Sequence, residues 1–174
     1  MNAPDIETQD ALVPFGEDNA YSLCLSPSVG LAGMATVAML CKLTVRRVTI
    51  EPAHVEFLSD GQPSHIIAAH VAGFHAERAL LRLPVELVKA RYSQYINAAR
   101  DFAAVCPPHI ASLADHAARQ LVQEHEADIR RLAIRLEDAP DRELSGDDVT
   151  VFALERGLFS KPEHVAFYFA GDKP

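Results

Sequence analysis

At 174 residues the chain is long enough to bury a core without disulfide or metal staples. Its 49% hydrophobic and 23% charged residues are an ordinary globular balance. A formal net charge of −8 argues against nucleic acid as a partner, because phosphate binding demands a basic surface. Three cysteines, Cys24, Cys41 and Cys106, lack CxxC spacing, so reduced thiols in a cytoplasmic protein are the expectation.

The first 19 residues carry Pro4, Pro14 and five acids, with no basic residue before Lys42. An irregular, acidic N-terminus follows, with no basic n-region of the kind a signal peptide needs. Residues 20–25 have strand character. The uncharged run from Leu23 to Cys41 includes Pro27, Gly30 and Gly33 and is too short and rich in small residues for a membrane span. Its apolar part, residues 29–40, is expected to be a buried helix after a possible serine N-cap at Ser26 or Ser28.

Residues 43–50 are β-branched and predict a strand, which Pro52 interrupts. His54 to Leu58 alternates, and Asp60-Gly61 offers a two-residue hairpin turn, so residues 64–72 are expected to return as the partner strand. Residues 76–83 are a further expected strand, completing an antiparallel meander in the middle of the chain and making residues 20–83 strand-rich.

Pro84 suits the first position of a helix. Val88, Tyr92, Tyr95, Ile96, Ala99, Phe102, Ala103 and Cys106 then recur at three- and four-residue steps. Glu86, Lys89, Ser93, Asn97 and Arg100 take the outer side until Pro107 stops the helix. A second helix is expected from near Pro108 to about Leu136. Its inward stripe is Ile110, Ala114, Ala117, Ala118, Leu121, His125, Ile129, Leu132 and Leu136. Asp115 with Arg119 and Glu126 with Arg130 support its outer face. At 1.5 Å per residue it would be roughly 40 Å long, so it must bend or overhang the sheet. Residues 137–148 hold six acids and read as a solvated linker. Residues 149–154 and 164–170, in a segment rich in Phe, predict a C-terminal strand pair.

Three groups could carry chemistry. Under the Asp60-Gly61 turn, His54, Glu56 and His65 share one face of the hairpin, and two imidazoles with a carboxylate can ligate a metal. His125 sits in the middle of an apolar stripe, where an imidazole must be hydrogen-bonded or kept neutral. His65, His70 and His75 recur at five-residue steps, which is a ligand pattern in neither a strand nor a helix.

The third group is a thiol pair, Cys41 and Cys106. Residues 29–41, a small-residue-rich segment ending in cysteine, are followed by an amphipathic stretch, residues 98–107, that ends in Cys-Pro. This arrangement resembles the OsmC/Ohr peroxide-reductase family. The resemblance implies peroxide reduction by Cys41 and Cys106. The chain departs from that family in three respects: there is little sequence for the family's N-terminal sheet, no Glu before the first cysteine, and added sequence after Pro107.

The expected fold is a single α+β domain, residues 20–174, in which two long amphipathic helices pack on one face of an antiparallel sheet. The expected function is a non-enzymatic interaction or regulatory protein, a homodimer without cofactor, nucleic-acid or membrane partner. A thiol peroxidase, or a metal-dependent enzyme using His54, Glu56 and His65, is the alternative.

Overall fold

The computed structural model describes residues 26–160 and Phe169. At its centre is helix α1, Ser28–Leu40, in which every residue is buried. A helix apolar on all sides can be stable only when it is wrapped on all sides. Here the wrapping comes from α2 (Pro63–Ala76), α6 (Glu126–Asp138), a small sheet and α7 (Gly146–Glu155). Small residues let α2 approach closely. A Cβ on Gly33 would stand 2.6 Å from the Ala76 Cβ and 3.3 Å from the Ala72 carbonyl oxygen.

The sheet has three antiparallel strands in the order β2–β1–β3: β1 is Val45–Thr49, β2 His54–Phe57 and β3 Glu143–Ser145. Val48 pairs with Val55 on one side and with Leu144 on the other, and all three are buried. The first two strands and the buried helix α1 fall where the sequence places them, and the chain is α+β, mostly helical among the described residues.

Several expected elements are different. The partner of β2 is β1, and residues 64–72 are not a strand but most of α2. Ile66, Ile67 and Val71 favour a strand, but Pro63 at the first helical turn and four alanines favour a helix. Ile66, Ile67, Ala69, Ala72 and Ala76 bury along it at helical steps. The expected strand at 76–83 is also helical, a π-helical turn Glu77–Leu81 that Arg82 ends at φ 55°. The acidic stretch 137–148 is no linker, because it closes α6 and supplies β3. Residues 149–154 belong to α7, started by a capping box in which Ser145 and Asp148 bond each other's backbone N–H at 3.2 and 3.0 Å. The other half of the expected strand pair, 164–170, lies outside the described residues except for Phe169, as does the expected strand 20–25.

Each of the two expected helices is divided at one residue. Tyr92 (φ −104°, ψ 19°) separates α3, Val85–Arg91, from α4, Ser93–Ala104. His125 (φ −107°, ψ 24°) separates α5, Pro108–Glu124, from α6. At both breaks the i→i+4 hydrogen bonds continue, at 3.0 Å on either side of Tyr92 and at 3.0 and 2.9 Å around His125. The breaks are therefore bends, and they let the helices follow the core. All nine residues of the inward stripe from Ile110 to Leu136 are buried. Burying Leu121, Ile129, Leu132 and Leu136 contributes at most roughly 6–12 kcal/mol. The outer pairs Asp115–Arg119 (3.3 Å) and Glu126–Arg130 (2.7 Å) add only some tenths each. Apolar burial, not surface charge, holds these helices down.

Candidate functional site

A cleft of about 280 Å³ opens between α2, the bent helix α3–α4, and α5. Its apolar floor is Val71 and Phe74 from α2 with Ile96 from α4, each half-buried. Lys89, Ser93, Asn97 and Arg100 form one wall. Their spacing of four, four and three residues sets them one above another on one helical face. That face lies on the outer side, as its spacing indicates, and its four residues are exposed along the edge of the apolar hollow. Among the described residues Ser93, Asn97 and Arg100 make no side-chain hydrogen bond or ion pair, and Lys89 has only a loose, exposed pairing to Glu86 at 3.8 Å.

Asp115 of α5 forms the opposite wall. His75, buried in α2, meets it through Nε2 at 2.8 Å, and Arg119 meets its other oxygen at 3.3 Å. The hydrogen bond from His75 holds the Asp115 carboxyl below its usual range, helped by the neighbouring charges. The cleft therefore presents an ionised carboxylate that is already partnered and an arginine that is not.

Above the same helices lies a buried polar cluster. Glu77 is fully buried at the start of the π turn, and Arg91 Nη1 donates to both its oxygens, at 2.8 and 2.9 Å. The Tyr92 hydroxyl lies 2.7 Å from Glu77 Oε1 and 3.0 Å from the Pro27 carbonyl oxygen. A phenol has one proton to donate and here has two acceptors within reach. Burial pushes the Glu77 carboxyl up, against the pull of its Tyr92 and Arg91 bonds, and pushes the Tyr92 phenol up as well. The cluster ties the entrance of α1 to the bend between α3 and α4. It also fills the space a side chain on Gly30 would need, since a Cβ there would overlap the Tyr92 hydroxyl. π turns often mark functional sites; this one places a carboxylate in the core.

The residues singled out from the sequence fall in different places. His54 and Glu56 are on β2, but His65 is in the first turn of α2, so the hairpin that would have joined the three does not form. His54 Nδ1 meets the Tyr95 hydroxyl at 3.2 Å, Glu56 faces Arg46 and Arg47 at 3.6 and 3.9 Å, and His65 meets Phe169 edge-on at 4.4 Å. Among the described residues no group of three or more His, Cys, Asp or Glu is placed to hold a metal. His125 is buried at the bend between α5 and α6, its Nδ1 3.2 Å from Asp128, which Arg156 also holds at 2.8 Å.

Cys41 and Cys106 are both free thiols. Cys41 is buried at the C-terminal end of α1, and burial pushes its pKa up to about 12. A helix C-terminus further opposes an anion there, whereas a peroxide-reducing thiol must ionise readily. Cys106 is half-buried and its Sγ donates to the Phe102 carbonyl oxygen at 3.1 Å.

The cleft was missed because its walls belong to three helices, and spacing along one helix cannot reveal what faces it. The signal for the Glu77 cluster was a lone carboxylate in the mostly apolar run 66–81. Among the described residues no helix is long and apolar enough to cross a membrane. No family model, no curated protein and no solved structure matches the chain.

Proposed function

We propose that the protein is a non-enzymatic interaction or regulatory protein that works as a homodimer, with the outer face of α7 at the contact. The observation that supports this reading is an exposed apolar patch: Val151, Leu154 and Phe159 are 45%, 64% and 42% exposed. The other side of the same helix, Val149, Phe152 and Ala153, is buried in the core. Val151 and Leu154 stand one turn apart, and Phe159 follows in the short 3-10 turn Leu158–Ser160. Grouped apolar side chains of this kind mark interaction surfaces, while single ones do not.

A second copy of this chain is the occupant that the charge pattern favours. The helix begins with Asp147 and Asp148 and ends at Arg156, whose guanidinium also holds Asp128 of the same chain. A copy lying antiparallel across a twofold axis sets acid against base at both ends and closes the apolar middle on itself. The exposed pair Arg135–Glu155, 3.0 Å apart, supplies both signs of charge beside it.

Light scattering on the intact chain, alone and as Leu154→Glu, tests the reading. The native chain is expected to be a dimer. Because a twofold axis repeats the substitution, and each buried leucine contributes ~1.5–3 kcal/mol, Leu154→Glu is expected to weaken dimerisation by at least about a hundredfold without changing the far-UV spectrum. A strict monomer at about 100 µM, or a dimer indifferent to the substitution, overturns it.

A further inference from the structure

Three features outside the α7 face invite explanation: the Glu77–Arg91–Tyr92 cluster, the ring cluster around His70, and the cleft between α2, α4 and α5. The first two are packed clusters, the one closed by its own hydrogen bonds and the other by rings around His70, whose Nδ1 has no partner among the described residues. The cleft is open, and its unpartnered groups point to a ligand.

We propose that this cleft binds a small carboxylate carrying an apolar group, with the carboxylate on Arg100 and the apolar group on Val71, Phe74 and Ile96. The argument begins with charge. The chain carries a net −8, yet two cations, Lys89 and Arg100, line one wall of this hollow. The one acid on the opposite wall among the described residues is Asp115, whose two oxygens already meet His75 and Arg119. With Arg119 and the Glu86 beside Lys89 both counted, three cations face two acids and the local balance is still positive, so an anion is the complementary ligand and a cation is not.

The donor geometry narrows the class further. A guanidinium presents a planar fork that matches a carboxylate with two parallel hydrogen bonds. Arg100 has that fork free among the described residues. Asn97, one turn before it, and Ser93, one turn earlier still, add neutral hydrogen-bonding groups along the wall. Lys89 lies eleven residues from Arg100, about 16 Å along an unbent helix, so it adds to the field without sharing the same carboxylate.

Size sets the rest. A hollow of about 280 Å³ is at the small end for ligand sites and corresponds to roughly nine waters of liquid volume. A nucleotide is too large for it; a single ring or a short branched chain with one carboxylate is of the right size. An aromatic floor residue, Phe74, favours the ring.

The test uses three molecules of one shape, 3-phenylpropanoate, 3-phenylpropan-1-ol and 3-phenylpropylamine, each titrated into the intact chain while amide resonances are followed. The carboxylate is expected to bind saturably and to shift amides of α2, α4 and α5, with the alcohol and the amine at least about tenfold weaker. Arg100→Gln, at an exposed position that leaves the core untouched, is expected to lower carboxylate affinity at least about tenfold and to leave the alcohol unchanged. Ile96→Ser is expected to weaken the carboxylate and the alcohol together. Equal binding of the amine, indifference to Arg100→Gln, or no saturable shift up to about 10 mM, the weak end for a ligand of this size, overturns the proposal.

Discussion

His70 shows how one side chain sets a pH response. Its ring lies among those of Phe57, Tyr95 and Phe102, with centroids 4.9, 6.0 and 5.9 Å away, and its Nδ1 is buried without a partner. Among the described residues no carboxylate compensates a charge there, and burial lowers its pKa from the ordinary 6.5 to about 4. Between those two values the unfolded chain binds a proton that the folded chain refuses. Stability is thus intact above pH 6.5 and is lost as pH falls towards 4. The loss from this residue is at most about 3 kcal/mol, for a half-buried ring that keeps some water. Glu77 acts in the opposite sense: burial raises its carboxyl, so its share of stability grows as pH falls. The depressed Asp115 and Asp128 lose their contribution only below the ordinary 3.8. Urea midpoints from pH 7.5 to 4 should therefore fall less steeply in His70→Phe than in the native chain. Parallel curves would show that His70 is not the group responsible.

At the scale of elements, what the sequence revealed depended on whether an element is governed by its own residues. Helix α1 was legible because a run of uncharged, small and apolar residues can only be buried. The stripe from Ile110 to Leu136 was legible because periodicity is a property of one helix. Helix α2 was misread since Asp60-Gly61 and β-branched Ile66, Ile67 and Val71 locally favour a hairpin. Against it stand Pro63 and four alanines, together with the close packing of Gly33 on Ala76, a contact between elements that local propensity does not contain. Helix α7 is a different kind of miss, because its signal was present. Ser145-Gly-Asp-Asp148 is a capping box with Asp in place of Glu, sitting inside a stretch whose acidity suggested solvent. Ser145→Ala removes the acceptor for the Asp148 N–H and is expected to cost ~1 kcal/mol. For a chain of this length that is a fall of about 2–4 °C in Tm, with helicity lost first in residues 146–155. An unchanged Tm would mean that packing of Val149 and Phe152, and not the cap, starts the helix.

For the whole molecule, the central question is what opens when the chain unfolds in part. Because α1 is enclosed by α2, α6, the sheet and α7, its amides are expected to exchange with solvent only when the surrounding layers separate. The outer helix α3 has only Val88 buried and belongs to the opposite end of the scale. Tyr92 links the two, since its hydroxyl reaches the Pro27 carbonyl at the entrance of α1 and Glu77 at the end of α2. Tyr92→Phe keeps the ring that fills the space over Gly30 and Gly73 and removes only the hydroxyl. One buried hydrogen bond is then lost, while Glu77 keeps Arg91 and the Pro27 carbonyl keeps the Leu31 N–H, at a cost of roughly 1 kcal/mol. Hydrogen exchange of α1 amides should accelerate by the same free energy that denaturant unfolding reports, because for that helix local opening and global unfolding are one event. Acceleration confined to α3 and the π turn, with α1 unchanged, would place Tyr92 in a peripheral unit and would show that the axis is held by apolar packing alone.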